Sequence, residues 1–429
     1  PRSTLSSSSA ASDVYKRQHY NRMAGMGEFT QGSPYNAGRL AHIEEVVAAD
    51  DYTVEFHLNY ASAIKTMSLF QPSNRHMIIP REVVETEEGP TFTDWRVTVG
   101  TSPWILDSIV DGSSITYVKN ENYWGYDPRH PDNKLPYVDK LVQLTIPERS
   151  TMIAAVRTGQ VDRLRQIGWQ HAETLQNTNP ELGFLGEANP VQGMAIKVSD
   201  PPFNDINVRK ALQMAVDHDT IASTIYGGKG IVQEFPGLAH PLITDMGWGT
   251  PYDQWPQDLK DEYSYNPDKA RQLLAEANYP NGFDTTLYAP PQADQELMQI
   301  YQAFFKDIGV DMHIELVDQG ALMGMTGSGN YEGIAWQFMG MAGIVVELEN
   351  IANVYNSKDR ANYGKVNDPH YDEMCYDFMR TSDINEAKQI FKDIELDAVG
   401  ECRCDRHWRI EFKRRRLRKL FRADGNIDF

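Results

Sequence analysis

The pattern of apolar and polar positions alternates between two periods along this chain. Tyr52, Val54, Phe56 and Leu58 alternate with Thr53, Glu55 and His57, the two-residue period of a half-buried strand. Asp50-Asp51 supplies a turn before it, so Ile43 to Leu58 reads as a hairpin with His57 on its solvated side. Ser113 to Lys119 and Lys140 to Ile146 read as further strands, and Gly112 closes the turn before the first of them. The period then lengthens. Thr151 to Arg157 has helical spacing and ends at Gly159. Val208, Ala211, Leu212, Ala215 and Val216 form the apolar stripe of a helix that Asn204 or Asp205 can cap. Asp217 caps a second short helix, which Gly227-Gly228 stops. Asn266-Pro267 opens a third, with Leu273, Leu274 and Ala277 on its apolar face. A fourth runs from about Gln292 to Ile308, and after Gly309 the strand Val310 to Val317 follows. Helix, glycine and strand in that order form the unit of a layered α/β fold. A last amphipathic helix covers about Ile384 to Ala398.

Composition narrows the class. The 429 residues are 41% hydrophobic and 24% charged, ordinary for a globular protein. No apolar run approaches the roughly 20 residues of a bilayer-spanning helix. The formal net charge is −19. Removing the +5 of residues 401–429 and the +2 of residues 1–18 leaves −26 on the body. Such a body repels phosphate backbones, so no nucleic-acid partner is expected. The three cysteines, Cys375, Cys402 and Cys404, offer neither a disulfide framework nor a C-x-x-C metal pair.

Both ends differ from the body. Residues 1–18 are Ser-rich and aperiodic, without the apolar stretch of a signal peptide. Ser8 to Gln18 is similar to a translated sequencing adapter, so 1–18 is set aside as an artefact. After Gly400 the chain turns Arg- and Cys-rich, and Lys413 to Lys419 is strongly basic. The abrupt shift reads as a frameshifted tail over 401–429, with a nucleic-acid or anionic-membrane patch as its rival.

Five stretches carry a family resemblance. Val99-Gly100-Thr101-Ser102-Pro103-Trp104 resembles a G-T-G-P turn, with Ser102 in place of glycine. Lys119 to Gly125, with Leu135-Pro136-Tyr137-Val138-Asp139, resembles an N-x-x-Y-W…LPYLD stretch. Ala155 to Asp162 resembles A-L-x-x-G-E-I-D. Pro202 to Leu212 resembles P-F-x-D-x-x-V-R-x-A-L, and Ala270 to Ala277 with Ile308-Gly309-Val310 completes the series. In this order they resemble the family 5 extracellular solute-binding proteins, which take up oligopeptides, dipeptides and nickel. The resemblance implies an α/β, type II periplasmic-binding-protein-like fold: two lobes, a hinge and an extra domain, with the first lobe incomplete. It divides the chain into 19–95 (partial extra domain and first-lobe segment), 96–200 (first lobe and hinge) and 201–400 (second lobe). Gly100, Pro103, Trp124, Asp205 and Arg209 are structural in this reading. Arg209 is expected to pair with a carboxylate near its helix start, and Trp124 to pack at a lobe edge.

The resemblance also implies a function: solute capture for an ABC importer by closure of the lobes around a peptide or peptide-like ligand, without catalysis. In the family's peptide binders a carboxylate after a Trp-containing strand holds the ligand's α-amino group. The corresponding stretch here is Tyr331 to Met341, and the expected Asp-x-x-Asp-Pro is absent. Trp336 is a candidate to stack on ligand, Phe338, Met339 and Met341 to form an adaptable apolar wall, Glu347 to hold a cation and Asn350 to hydrogen-bond. Trp248, in a Pro/Gly-rich loop with Trp255, is a further candidate. For each, a packing or solvated role is the alternative. Tyr355, Asn356 and Asn362 are weaker candidates. A saccharide or other polar solute is the alternative ligand.

An enzyme would need a nucleophile with its base, and G-x-S-x-G, H-E-x-x-H and the P-loop pattern are all missing. A metal or haem carrier is a second rival, with His370, Asp372, Glu373 and Cys375 as ligands, although Pro369 to Met374 resembles an ordinary helix start. No cofactor and no metal are expected. The expected partners are the ligand and an ABC transporter permease, with a monomeric chain at the periplasmic or extracellular face of the membrane. Membrane contact would come through that permease or a lipid anchor outside this chain.

Overall fold

The computed structural model describes residues 12–27, 40–50, 53–70, 94–164, 167–184, 192–228, 231–232, 244, 246–338, 348–359, 362–401 and 408–409. They fall into two compact units, one from Pro1–Tyr60 and Pro72–Leu182, the other from Ala61–Gln71 and Gly183–Lys419.

In the first unit, α1 (Ser12–Ala24) packs on a hairpin of β1 (Ile43–Ala48) and β2 (Val54–Leu58). The helix begins inside the stretch expected to lack a fold. Its second half explains why, since Tyr20 and Met23 are buried and the Tyr20 ring meets Phe56 edge-on at 4.9 Å. Once those residues are helical, each further residue toward the N-terminus adds a hydrogen bond without a new nucleus. His57 is half-exposed beside Glu45 and Glu55, as a solvated position should be. The next helix, α2 (Ala63–Phe70), belongs to the other unit. Strands β3 (Trp104–Val110) and β4 (Ser114–Lys119) form an antiparallel pair around Gly112. A small hairpin, β5 (Tyr126–Asp127) with β6 (His130–Lys134), precedes β7 (Lys140–Leu144), which joins β4 to give the sheet order β3-β4-β7. Helices α3 (Arg149–Arg157) and α4 (Trp169–Thr178) follow.

The second unit is built on a six-stranded sheet. Its strands are β8 (Gln192–Ile196), β9 (Ile231–Val232), β10 (Phe283–Ala289), β11 (Val310–Leu316), β12 (Ile334–Phe338) and β13 (Trp408–Arg409), in the order β11-β10-β12-β8-β13-β9. β10 runs parallel to β11 and β12, and β8 runs antiparallel to β12. The helices between them are α5 (Ile206–Met214), α6 (His218–Thr224), α7 (Gln257–Glu262), α8 (Pro267–Glu276), α9 (Gln295–Asp307) and α10 (Gln319–Ser328). Three more, α11 (Leu348–Asn353), α12 (Pro369–Arg380) and α13 (Ile384–Gly400), gather with α2 around a core of Ile64, Ala352, Phe378 and Phe391.

Caps start these helices where the residue types allow. Asp205 accepts from Asn207 N–H (2.8 Å), Asp217 from Thr220 N–H (2.9 Å) and Asn266 from Lys269 N–H (3.0 Å). The fourth helix starts at its cap Asp294, two residues later than its apolar pattern suggested. At the starts of β10 and β11, Gly282 has φ +75°, and a Cβ there would lie 1.8 Å from Gly309 O. Only glycine permits that approach.

The unit boundaries differ from a division at 200/201. β8 hydrogen-bonds to β12, so the second unit reaches back to residue 183. α2 joins it because Ile64 lies in its core and Lys65 pairs with Glu349.

Candidate ligand-binding site

The expected ligand wall centres on β12. Ile334, Ala335 and Trp336 are buried, and Ala335 faces Leu322 and Tyr331. Trp336 is paired with Met194 of β8, and its ring lies 6.4 Å edge-on from Tyr301 of α9. It is 1% exposed, and among the described residues its Nε1 has no hydrogen-bond partner. The indole therefore packs between sheet and helix while keeping an unspent donor. Phe338 ends β12 opposite Gln192. Met339, Met341 and Glu347 lie outside the described residues. Asn350 falls in the first turn of α11.

A polar cluster holds the start of β12. Tyr331 donates to Tyr363 O at 2.8 Å, and burial, with Asp200 nearby, pushes its phenol well above the ordinary range. Lys197 lies 5.8 Å over the Tyr331 ring and 2.7 Å from Asp200, whose carboxyl it draws down together with Ser199. Lys365 donates to Gly327 O at the end of α10, and burial with repulsion from Lys197 lowers its ammonium. Gly333 has φ +88°, and a Cβ there would meet Thr286 O at 2.7 Å.

Other candidates are drawn into packing. Trp248 is 3% exposed, with its ring edge-on to Phe378 and Phe391 at 6.3 and 6.1 Å. Both rings that meet it are core rings, so its contacts here are those of packing, the alternative to a ligand role. Trp255 is also anchored, donating from Nε1 to Thr250 O at 3.1 Å. Tyr355 packs against Tyr371, and Asn362 spends its amide on Asn356 O, Val366 O and Val366 N–H. Cys375 Sγ meets Ala352 O at 3.1 Å, and Asp372 holds Ser357. Among the described residues, no group of three or more His, Cys, Asp and Glu side chains could hold a metal.

The structural motifs have physical roles. Asn120 donates from its backbone to Pro103 O (2.9 Å) and from its side chain to Ser102 O (3.0 Å), tying the two motifs together. Gly100 has open space where a Cβ would stand. Arg209 reaches backbone oxygens. Its donors go to Phe203 O, Asn204 O and Glu401 O at 2.9–3.4 Å, so it serves carbonyls, the last of them at the end of α13. Its guanidinium also lies 3.9 Å from the Glu401 carboxylate, far along the chain from the Arg209 helix start. Trp124 is 61% exposed, with its ring 5.5 Å from that of Tyr123.

Two buried polar arrangements, with three titratable side chains between them, escaped sequence reasoning. Lys65 and Glu349 form a buried ion pair between α2 and α11. Glu395 is buried in α13 and accepts from Thr250 N–H. Both pair across long sequence separations, which local periodicity does not register.

Such a sheet of parallel and antiparallel strands, with helices between, is the α/β layering of a binding-protein unit. The comparisons identify the class. Residues 9–362 match the bacterial extracellular solute-binding proteins, family 5, middle region, and the chain belongs to that family. A glutathione-binding protein, GsiB, of Pectobacterium atrosepticum is 27% identical over 289 residues, 67% of this chain and 51% of that protein. This chain thus spans about half that relative's length. Di/tripeptide-binding protein 1 of Pseudomonas aeruginosa is 25% identical over 88% of this chain and 68% of that one. The dipeptide-binding protein of Pseudoalteromonas sp. SM9913, solved with Met-Leu, superposes with TM-score 0.75 at 18% identity, covering 95% of this chain and 79% of that one. The type II periplasmic-binding fold is therefore the architecture of this chain. No helix among the described residues is long and apolar enough to cross a membrane.

Proposed function

We infer that this chain captures a peptide or peptide-like solute for an ABC importer, by binding and without catalysis. The family membership over residues 9–362 carries the reading. Relatives named for glutathione and for di- and tripeptides favour a peptide-like ligand over a saccharide. Its partners are the ligand and a transporter permease, at the periplasmic or extracellular face. Trp336, Phe338, Met339, Met341, Glu347 and Asn350 form the ligand wall in this reading, and Trp248 is left to the core. The unspent indole N–H of Trp336 supports the choice of that strand.

Thermal unfolding against di- and tripeptides, glutathione, oligosaccharides and buffer tests it. A ligand at about 100 times its Kd stabilises the protein by roughly 2.7 kcal/mol. Stabilisation by peptides or glutathione is the expected result. Stabilisation by oligosaccharides alone transfers the assignment to saccharides, and hydrolysis of a bound peptide ends the non-catalytic reading.

A further inference from the structure

Residues 246–255 run along α13 as a strap. Lys388 donates to Met246 O at 2.8 Å. Trp248 packs on Phe391. Glu395 accepts from Thr250 N–H at 2.6 Å. Trp255 and Tyr263 pack with Val399, and Tyr263 OH reaches Val399 O at 3.3 Å. Lys388, Phe391, Glu395 and Val399 are three or four residues apart, so they form one stripe on the helix. The strap meets them in order. Its approach at Glu395 is close: a Cβ on Gly249 would stand 2.7 Å from Thr244 Oγ1 and 3.1 Å from Glu395 Oε1.

Glu395 is the acidic rung of this ladder, and its side chain is buried. We propose that Glu395 is a proton-operated latch: while its carboxyl holds a proton the strap stays seated on α13, and loss of that proton to water lets the strap lift. The reason is solvation. An ionised carboxylate in the seated arrangement has the Thr250 N–H in place of a hydration shell, whereas lifting returns it to water. Burial pushes the carboxyl up to about 7, and the Thr250 hydrogen bonds and Lys392 pull the other way. Four charges on the elements packed against α13 have partners of their own. Lys65 of α2 and Glu349 of α11 hold each other, Asp372 of α12 holds Ser357, and Arg380 lies over Tyr376. Lys388 of α13 itself is spent on Met246 O. Among the described residues, Lys392 is the charge whose field bears on Glu395.

The sign follows from linkage. The seated state binds the proton more tightly than a lifted, solvated carboxylate, whose ordinary value is 4.5. The seated state is therefore fully favoured below about pH 4.5. It loses ground by about tenfold per pH unit up to about pH 7, and above that the ratio levels off.

Hydrogen exchange of the Thr250 amide, corrected for intrinsic rate and read from pH 5 to 8, tests the latch. The expected result is a strap opening that rises roughly tenfold per unit to about pH 7 and then flattens. Glu395→Gln, which keeps an acceptor but has no charge to expose, should stay seated with no such slope. A flat profile in the unaltered protein, or an undiminished slope in the variant, overturns the proposal. If the variant does not fold, carbon-13 NMR titration of the Glu395 carboxyl in the unaltered protein decides. A midpoint near 7 supports the latch, and one near 4.5 overturns it.

Discussion

Strands β12 and β7 are alike on paper and differ in surroundings. β12 reads IAWQF and β7 reads KLVQL, both short and mostly apolar. In β12, Ile334, Ala335 and Trp336 are wholly buried. In β7, Leu141, Val142 and Leu144 are 45%, 45% and 48% exposed. Neighbouring residues of a strand point to opposite faces, so β7 is bare on both sides. It is also an edge. Lys119 N–H bonds to Asp139 O and Thr145 N–H to Ser113 O, which sets the alternation. The backbones of Val142 and Leu144 therefore face away from β4. Among the described residues β7 pairs with β4 alone. The difference teaches that strand formation is decided locally, whereas burial depends on what the rest of the polypeptide lays across each face. Substitutions in the covered unit should be costly, and matching ones in the bare sheet cheap.

The largest effect is expected at Lys65. It and Glu349 are about nine-tenths buried and neutralise each other. Lys65→Met leaves a buried carboxylate without its cation and should cost about 4 kcal/mol in denaturant unfolding. Replacing both, as Lys65→Met with Glu349→Leu, should recover most of that. The exposed pair of Lys306 and Asp311 offers the contrast, since Lys306→Met should cost less than about 1 kcal/mol. Equal losses at the two lysines would show that the covered unit is not closed around its charges.

Next come the strands themselves. Leu287 of β10 is fully buried, and Leu287→Ala should cost about 3 kcal/mol through lost transfer energy and a residual cavity. Leu141→Ala in β7 should cost about 1 kcal/mol, because half of that side chain already meets water. A loss at Leu141 as large as at Leu287 would mean that something covers β7 in solution, and the comparison would fail.

How far this was legible in the sequence follows from the same contrast. The hairpin at Ile43–Leu58, the strands at Ser114 and Val310 and the capped helices at Asp205, Asp217 and Asn266 were visible, because each depends on neighbours within a few residues. The order of strands in the larger sheet was not, since β8 and β12 meet across about 140 residues of chain. The fates of Trp248 and Arg209 were hidden for the same reason: Phe391 and Glu401 lie far along the chain. At the candidate site, Trp336 was proposed through the family resemblance, and its burial against Tyr301 left no local signal. Lys65 carried no signal at all, because a lysine in a short apolar helix reads as a solvated side chain until its partner on α11 is known.

Two glycines repeat the comparison on a smaller scale. Gly282 and Gly112 both hold positive φ, +75° and +65°. Around Gly112, between β3 and β4, a Cβ would find nothing within 4 Å, while at Gly282 it would strike the Gly309 carbonyl. Gly112→Ala should cost about 1 kcal/mol, the left-handed backbone alone. Gly282→Ala adds the collision and should cost about 2–3 kcal/mol, read from unfolding midpoints. Near-equal costs would indicate that the starts of β10 and β11 relax apart freely.

The smallest effect on stability is expected at the open edge. Val142 is half-exposed, and its backbone N–H and C=O point away from β4. Val142→Lys places a charge where solvent already reaches, so the unfolding midpoint should move by no more than about 0.5 kcal/mol. A lysine on a bare edge also opposes pairing with another strand. Self-association, followed by light scattering against concentration, should therefore decrease while the fold is retained. In hydrogen exchange, the amides of Val142 and Leu144 should exchange faster than those of Leu141 and Gln143, which bond to β4. A variant that loses stability on the scale of Leu287→Ala, or slow exchange at Val142 in dilute protein, would show that β7 is covered after all. Its exposed leucines would then belong to a closed sheet like that of β12.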